Sequence, residues 1–150
     1  MSQSLASILV HLVFSTKNRT QMIKPEILKD LHAYIVGIAQ SHESTVYEIG
    51  GVEDHVHLLI SLPRTVTLSK LVEEIKKSSS KWVKTKGVLY QEFAWQRGYG
   101  AFSIGQSSTL ALKNYIQNQE KHHKKISFQD EFRSLLRKYQ IAFDERYVWD

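Results

Sequence analysis

The stretch EDHVHLLIS at residues 53–61 is the most informative part of this chain. Its alternating residues Val56, Leu58 and Ile60 share one face of a strand, and that apolar face is expected to pack on a core. His55 and His57 then lie side by side on the opposite face. Imidazole commonly binds divalent metals, so this spacing lets both rings reach one ion. A pair of solvated or hydrogen-bonded surface histidines is the competing interpretation.

The bulk composition restricts the class of protein. A chain of 150 residues, 42% hydrophobic and 11% aromatic, predicts one globular domain over residues 1–150. A formal net charge of +5 fits a polyanionic partner. The absence of cysteine excludes disulfides, thiolate zinc sites and cysteine nucleophiles. We find no signal-peptide pattern and no membrane-spanning stretch, which predicts a cytoplasmic protein without membrane contact.

The order of predicted elements indicates the fold class. Strands are predicted at 6–16 and 43–50, followed by a turn at Gly50-Gly51 and by the histidine strand, which ends at Pro63. Helices are predicted at 25–41 and 67–86, and one or two short strands within 93–106. This order predicts an α+β, ferredoxin-like or RRM-like sandwich, with an antiparallel sheet and two helices on one face. The histidines belong on the other face, which is left for a ligand, a nucleic acid or a third helix. Further helices are predicted from Ser107 or Ser108 to about Lys124 and over 127–139.

A second set of polar residues lies in the first of those later helices. Tyr115 and Gln119 are four residues apart, which places them on one face of a helix. A tyrosine attacks phosphorus when a metal or a cationic neighbour stabilises the charge, and a glutamine oxygen could join two imidazoles around an ion. Such a mixed nitrogen and oxygen set suits Mg²⁺ or Mn²⁺. A packing tyrosine and a surface glutamine are the alternative.

Several segments taken together carry a family resemblance. They are Phe14-Ser15-Thr16-Lys17-Asn18-Arg19, Asp54-His55-Val56-His57-Leu58-Leu59, Trp95-Gln96-Arg97-Gly98-Tyr99-Gly100-Ala101-Phe102-Ser103, Tyr115-Ile116-Gln117-Asn118-Gln119, His122-His123-Lys124 and Ser127-Phe128. In this order and at these spacings, the chain resembles the small HUH single-tyrosine transposases of the TnpA type. Those enzymes move bacterial insertion sequences as single-stranded DNA.

The resemblance implies a role for each matching residue. His55, His57 and Gln119 would be metal ligands, and Tyr115 would be the nucleophile that forms a 5′-phosphotyrosine link. Its helix would be an additional, catalytic helix near the C-terminus. The resemblance also implies a homodimer, recognition of subterminal DNA hairpins, a divalent metal, and no nucleotide cofactor. It leaves open whether the tyrosine helix completes the site of its own subunit or of a partner.

Basic and aromatic residues outside these motifs predict a DNA-binding surface. Lysines would neutralise phosphates, and exposed aromatic rings would stack on unpaired bases. The candidates are Lys17, Arg19, Lys76, Lys77, Lys81, Lys84, Tyr99 and Phe102. A solvated helix face is the alternative for the lysines, and packing within the sheet is the alternative for the two aromatic residues.

Two other functions remain open from the sequence. A non-cleaving protein that binds hairpin DNA or RNA would use the same sheet and basic helix, but it would not need His55, His57, Tyr115 and Gln119 together. A metal-dependent phosphodiesterase would use water as the nucleophile, so its activity should survive the substitution Tyr115→Phe.

Overall fold

The computed structural model describes residues 2–150. In chain order its strands and α-helices are β1 (Leu9–Ser15), α1 (Pro25–Ser41), β2 (Val46–Val52), β3 (His55–Ser61), α2 (Leu68–Lys84), β4 (Gly100–Ile104), α3 (Thr109–Gln117), α4 (Gln119–His122) and α5 (Phe128–Lys138). The strands form one antiparallel sheet in the order β2-β3-β1-β4. This order is that of a ferredoxin-like fold, so the predicted fold class is confirmed.

The alternation in β3 produces the apolar face that the sequence predicts. The side chains that form this face together with β1 are Val10, Leu12, Phe14, Val56, Leu58 and Ile60, all buried. Apolar residues of α1 and α2 cover them and complete the main core. Burial of these side chains is the main driving force that holds the two helices on this side of the sheet.

Local sequence signals set the helix ends. Pro25 occupies the first turn of α1, where its missing N–H costs nothing. The Thr67 hydroxyl accepts a hydrogen bond from the backbone N–H of Lys70 and caps α2. Ser127 caps α5 in the same way, through the N–H of Asp130. The cap at Ser127 agrees with the predicted start of the last helix.

The opposite face of the sheet is also covered. Helices α3, α4 and α5 lie over it, and a second apolar cluster of Val13, Phe102, Phe128, Phe132 and Leu136 joins α5 to the sheet. The predicted helix from 107 or 108 to 124 is interrupted at Asn118, which has non-helical dihedral angles and separates α3 from α4. The sequence leaves this face for a ligand, a nucleic acid or a third helix, and in the structure it is covered by further helices.

Two other predicted boundaries differ from the structure. The pair Gly50-Gly51 was predicted as a turn, but both glycines pair with β3 and extend β2 to Val52. Gly50 is required here because an added Cβ would lie 2.3 Å from the backbone oxygen of Ile116 in α3. Between residues 93 and 106 one strand forms, and Trp95 makes only an isolated bridge to Thr16.

Candidate active site

Strand β3 places two imidazoles on the covered polar face of the sheet. His55 and His57 are both fully buried, and their ring centroids are 5.1 Å apart. His11 of β1 lies on the same face, where its Nε2 is 2.8 Å from Nδ1 of His57. A solvated surface pair, the competing interpretation of the motif, does not fit this burial.

Three imidazoles point the same nitrogen toward one centre. Their Nδ1 atoms are held from outside, at 2.6 Å from Asp54 Oδ1 for His55, 2.8 Å from His11 Nε2 for His57, and 2.8 Å from the carbonyl oxygen of Ile126 for His123. A second hydrogen bond of this kind is typical of metal-binding histidines, because it fixes the ring orientation. The three Nε2 atoms are therefore the ones available to an ion.

Two oxygen donors face the same centre. Gln119 Oε1 lies 3.0 Å from His55 Nε2 and 2.9 Å from His123 Nε2. Glu131 Oε1 of α5 lies 2.8 Å from His57 Nε2 and 3.1 Å from His123 Nε2. The donor atoms of His55, His57, His123 and Glu131 all lie within 4.8 Å of one another.

The spacing of these donors suits a small divalent ion. Adjacent ligands of an octahedral ion with bonds of about 2.1 Å are roughly 3.0 Å apart. The four distances between neighbouring nitrogen and oxygen atoms, from 2.8 to 3.1 Å, match that value. Burial lowers the pKa of His57 to about 4, which keeps this imidazole neutral at pH 7, the form that binds metals.

Tyr115 reaches the same centre from α3. Its hydroxyl donates a hydrogen bond to Glu131 Oε2, and its ring lies edge-on to His57 at 5.8 Å. Burial, reinforced by the negative charge of Glu131, raises the pKa of Tyr115. Burial by itself would raise the pKa of Glu131 as well, but hydrogen bonds from His123 and His57 outweigh it and hold that pKa well below its usual range. Without an ion, the shared proton therefore stays on the tyrosine.

A cavity of about 700 Å³ opens next to the tyrosine. It lies between the end of β4, α3 and α5, and Tyr115, Glu131 and His11 are among its lining residues. Lys138 and the rings of Tyr139 and Tyr115 supply a cation and flat aromatic surfaces along its wall. Tyr115 thus lines a cavity that is large enough for part of a nucleotide chain.

Some residues of this centre were missed by the sequence analysis. The prediction placed His55, His57, Tyr115 and Gln119 at the site, and the structure brings these four together. His123 and Glu131 are not among the predicted ligands, yet both lie within the cluster. A signal for Glu131 was present, since it lies between Phe128 and Phe132 on the apolar side of α5, where an unpaired carboxylate would be costly.

The predicted DNA-binding residues occupy several different environments. Lys77, Lys81 and Lys84 are exposed on α2, on the side of the sheet away from Tyr115. Lys17 is exposed in the loop after β1, whereas the guanidinium of Arg19 lies 5.4 Å from the ring centre of Trp149. The lysines of α2 therefore do not form one surface with the tyrosine, whereas Arg19 lines a cavity that His123 also lines.

Two predicted DNA contacts require correction. Lys76 Nζ donates to the carbonyl oxygens of Gln96 at 2.8 Å and Gly98 at 2.6 Å, so its charge holds the segment before β4. Phe102 is 2% exposed and stacks on Tyr139, which leaves no ring face for a base. Tyr99 is half-buried and packs on the main core, with Lys76 Nζ 5.7 Å from its ring centre.

Comparison with known proteins places the chain in a family. Residues 4–119 match the family described as transposase IS200 like. The chain is 24% identical over 114 residues to the ISDra2 transposase TnpA of Deinococcus radiodurans, covering 73% of this chain and 81% of the relative. It is also 24% identical over 120 residues to the transposase for insertion sequence element IS200 of Salmonella typhimurium, covering 73% and 74%.

Solved structures agree with the fold. A crystal structure of a Deinococcus radiodurans R1 protein assigned as a transposase superimposes with a TM-score of 0.62 at 20% identity, covering 79% of this chain and 98% of that chain. A REP-associated tyrosine transposase bound to a REP hairpin superimposes with a TM-score of 0.61 at 17% identity, covering 84% and 76%. Within residues 2–150, no helix combines the length and hydropathy that crossing a bilayer requires. The chain belongs to the IS200-like transposase family.

Proposed function

We propose that this protein cuts and rejoins single-stranded DNA by metal-dependent transesterification through a 5′-phosphotyrosine intermediate. The observation that carries the proposal is the convergence of Tyr115, His55, His57 and Gln119 on one buried centre beside an open cavity. Membership of a transposase family supports DNA as the substrate.

Each residue has a chemical task in this reaction. The Tyr115 oxygen forms a bond to phosphorus while the bond from phosphorus to the DNA 3′ oxygen breaks. The tyrosyl proton faces Glu131 Oε2, and the departing 3′ oxygen takes up one proton, so the protons balance. His55, His57 and Gln119 would hold Mg²⁺ or Mn²⁺, which would supply Lewis-acid polarisation of the scissile phosphate. Because one phosphate ester replaces another, no nucleotide cofactor is needed.

The proposed substrate is DNA whose ends fold into hairpins. The structural relative bound to a REP hairpin supports hairpin recognition in this chain. The exposed lysines of α2 and Lys17 would contact phosphates at a distance from the cut, which predicts salt-sensitive binding. We further propose that the protein acts as a homodimer, as the resemblance to the TnpA type implies.

The test uses single-stranded oligonucleotides that span the ends of the DNA flanking the gene. Wild type and Tyr115→Phe are incubated with 5′- or 3′-labelled DNA in Mn²⁺, Mg²⁺ or EDTA, and the products are separated on denaturing gels. We expect a metal-dependent covalent adduct that keeps the label 3′ of the cut. The adduct should disappear in Tyr115→Phe, because this variant lacks the attacking oxygen.

Tyr34→Phe is the matched control, since it removes a tyrosine hydroxyl from α1, on the side of the sheet away from the cluster. It should form the adduct at the wild-type rate. Cleavage that continues in Tyr115→Phe would instead identify a hydrolase that uses water. Tight hairpin binding by wild type with no adduct in any metal would favour the non-cleaving DNA- or RNA-binding function.

A further inference from the structure

Two members of the cluster lie beyond the part of the chain that matches the family. The match ends at residue 119, whereas His123 follows α4 and Glu131 lies in α5. The roles that the resemblance implies for His55, His57, Tyr115 and Gln119 therefore do not extend to either residue. Both are nevertheless directed into the centre formed by His55, His57 and Gln119.

We propose that His123 and Glu131 are ligands of the same metal ion as His55 and His57, so that the C-terminal segment completes the metal site. The inference rests on the proposed function insofar as it assumes that the histidine pair of β3 binds a divalent ion. It goes further by assigning an imidazole and a carboxylate to that ion. The site would then contain three nitrogen ligands rather than two.

The two oxygens of the Glu131 carboxylate face different groups. Oε1 faces the imidazoles, at 2.8 Å from His57 Nε2, 3.1 Å from His123 Nε2 and 3.6 Å from His55 Nε2. Oε2 faces the other way and accepts hydrogen bonds from the hydroxyl of Tyr115 and from Gln119 Nε2. A carboxylate in this position can bind an ion through Oε1 while Oε2 orients the tyrosine beside it.

Glu131 is a buried carboxylate that needs compensating partners. Its side chain is 1% exposed, and a buried carboxylate is retained only where several donors or an ion compensate for its lost hydration. The neighbouring apolar residues Phe128 and Phe132 show that this side of α5 could have packed on the sheet without any charge. Tyr115, Gln119 and the imidazoles supply donors to the carboxylate, and a divalent ion bound at Oε1 would add positive charge directly.

His123 has the orientation of a metal ligand. Its Nδ1 is 2.8 Å from the carbonyl oxygen of Ile126, which leaves Nε2 directed at Glu131 and Gln119. The same arrangement holds His55 through Asp54. Outer hydrogen bonds of this type fix the ring and raise its basicity toward the ion.

The enlarged ligand set changes the expected metal preference. Imidazole nitrogens favour transition metals, while Mg²⁺ prefers oxygen ligands and keeps several waters. With three imidazoles, one carboxylate and one amide oxygen, the site should bind Mn²⁺ in preference to Mg²⁺. Mg²⁺ should displace bound Mn²⁺ only when present in large excess.

The experiment measures Mn²⁺ binding to the full chain without DNA. Free Mn²⁺ is titrated by electron paramagnetic resonance, and nitrogen modulation in the spin echo reports imidazoles on the bound ion. We expect Glu131→Gln and His123→Gln each to weaken Mn²⁺ binding by at least about tenfold, as loss of groups at a metal site does. Nitrogen modulation should persist in both variants, because His55 and His57 remain.

Asp130→Asn and His42→Gln are the matched controls. Asp130 neighbours Glu131 but its side chain is 64% exposed, and His42 lies at the end of α1. Neither control should change Mn²⁺ affinity. If the variants of Glu131 and His123 bind Mn²⁺ as tightly as wild type, the proposal that these two residues are ligands is wrong. The proposal that His55 and His57 bind the ion would be unaffected. Tighter binding by Glu131→Gln would also overturn the proposal, because the carboxylate would then compete with the ion.

A wild-type protein that binds no Mn²⁺ with nitrogen modulation would overturn the proposed metal dependence itself. Folding of each variant is checked by circular dichroism before titration. Should Glu131→Gln fail to fold, Glu131→Asp provides the second test, since it keeps the charge but shortens the reach. It is expected to bind Mn²⁺ more weakly than wild type, and wild-type affinity would contradict the ligand role.

Discussion

Both faces of the central sheet are buried, but different interactions stabilise them. On one face Leu12, Leu58 and Ile60 are fully buried under α1 and α2, and these contacts are apolar. On the other face His55 and His57 are equally buried, but each has hydrogen-bond partners at defined distances. Neighbouring residues of one strand, such as His57 and Leu58, thus belong to two different kinds of interior.

The two faces depend to different degrees on the precise positions of their side-chain atoms. Apolar burial has no direction, so substitutions on the α1/α2 face should cost stability in proportion to the volume removed. A buried polar network is specific, since one missing partner leaves a charge or a donor without compensation. We therefore expect the first face to control the free energy of unfolding and the second to control metal binding and chemistry.

The largest effect on stability should come from Leu58→Ala. It removes a fully buried side chain from the apolar face and should lower the free energy of unfolding by about 2–5 kcal/mol. Urea denaturation measures the loss, and Mn²⁺ affinity of the folded protein should not change. Leu110→Ala, at a side chain that is 71% exposed, should stay within about 0.5 kcal/mol of wild type. A large loss of Mn²⁺ affinity in Leu58→Ala would show that the two faces are coupled.

His57→Leu tests the polar face, where metal binding should be lost. It removes hydrogen bonds to Glu131 and His11, which should cost about 1.5–3 kcal/mol in EDTA because the carboxylate is charged. Wild type should gain roughly 2.7 kcal/mol when Mn²⁺ is raised to about 100 times its dissociation constant, and the variant should gain little. Thermal unfolding with and without Mn²⁺ tests both statements. Equal stabilisation of the two proteins by Mn²⁺ would remove His57 from the ligand set.

Gly50→Ala should disturb the placement of the tyrosine helix. The new Cβ would meet the backbone oxygen of Ile116 at 2.3 Å, so α3 must move away from β2. We expect a loss of about 1–3 kcal/mol in stability. Formation of the Tyr115–DNA adduct should slow by roughly 100-fold, because a shift of about 1 Å is enough to misplace a nucleophile.

Gly37→Ala is the control for that substitution. Gly37 lies in α1, and an added Cβ would meet no described atom within 4 Å. Alanine should therefore stabilise the helix by roughly 0.5–1 kcal/mol and leave adduct formation unchanged. Gly50→Ala with normal adduct formation would show that the α3–β2 contact does not position the tyrosine.

The smallest effect at pH 7 should come from His32, a histidine of α1 that lacks the partners of the site histidines. Within residues 2–150 its buried Nε2 has no hydrogen-bond partner, and burial lowers the pKa of His32 to about 4. Between pH about 6.5 and 4 the unfolded chain therefore binds a proton that the folded chain does not. Stability should fall as the pH falls through this range.

His32→Gln should reduce that pH dependence without removing it, because His11 and His57 are buried and remain sensitive to acid. The free energy of unfolding is measured by urea denaturation at several pH values, in EDTA. His42→Gln is the control at a histidine side chain that is 32% exposed. A pH dependence identical to that of wild type in His32→Gln would show that this imidazole is charged or solvated in the folded protein.

Part of the candidate site could be predicted because its pattern is local. The alternation in residues 53–61 placed His55 and His57 on one face, and the spacing of Tyr115 and Gln119 placed them on one side of a helix. The interruption at Asn118 was not predicted, yet Gln119 still reaches His55. Lys76 and Phe102 show that residue type alone does not identify a DNA contact. The lysine charge and the aromatic ring that were predicted to bind DNA contact other parts of the protein instead.

The fold class, the apolar face of the sheet and the pairing of His55 with His57 follow from the sequence, because periodicity of two along a strand is a property of neighbouring residues. The presence of His123 and Glu131 beside them follows from the tertiary structure alone. The contact between His57 and Glu131 spans 74 positions of the chain. No local pattern specifies such a distance; it depends on how the apolar side of α5 packs on the second face of the sheet and carries the carboxylate with it.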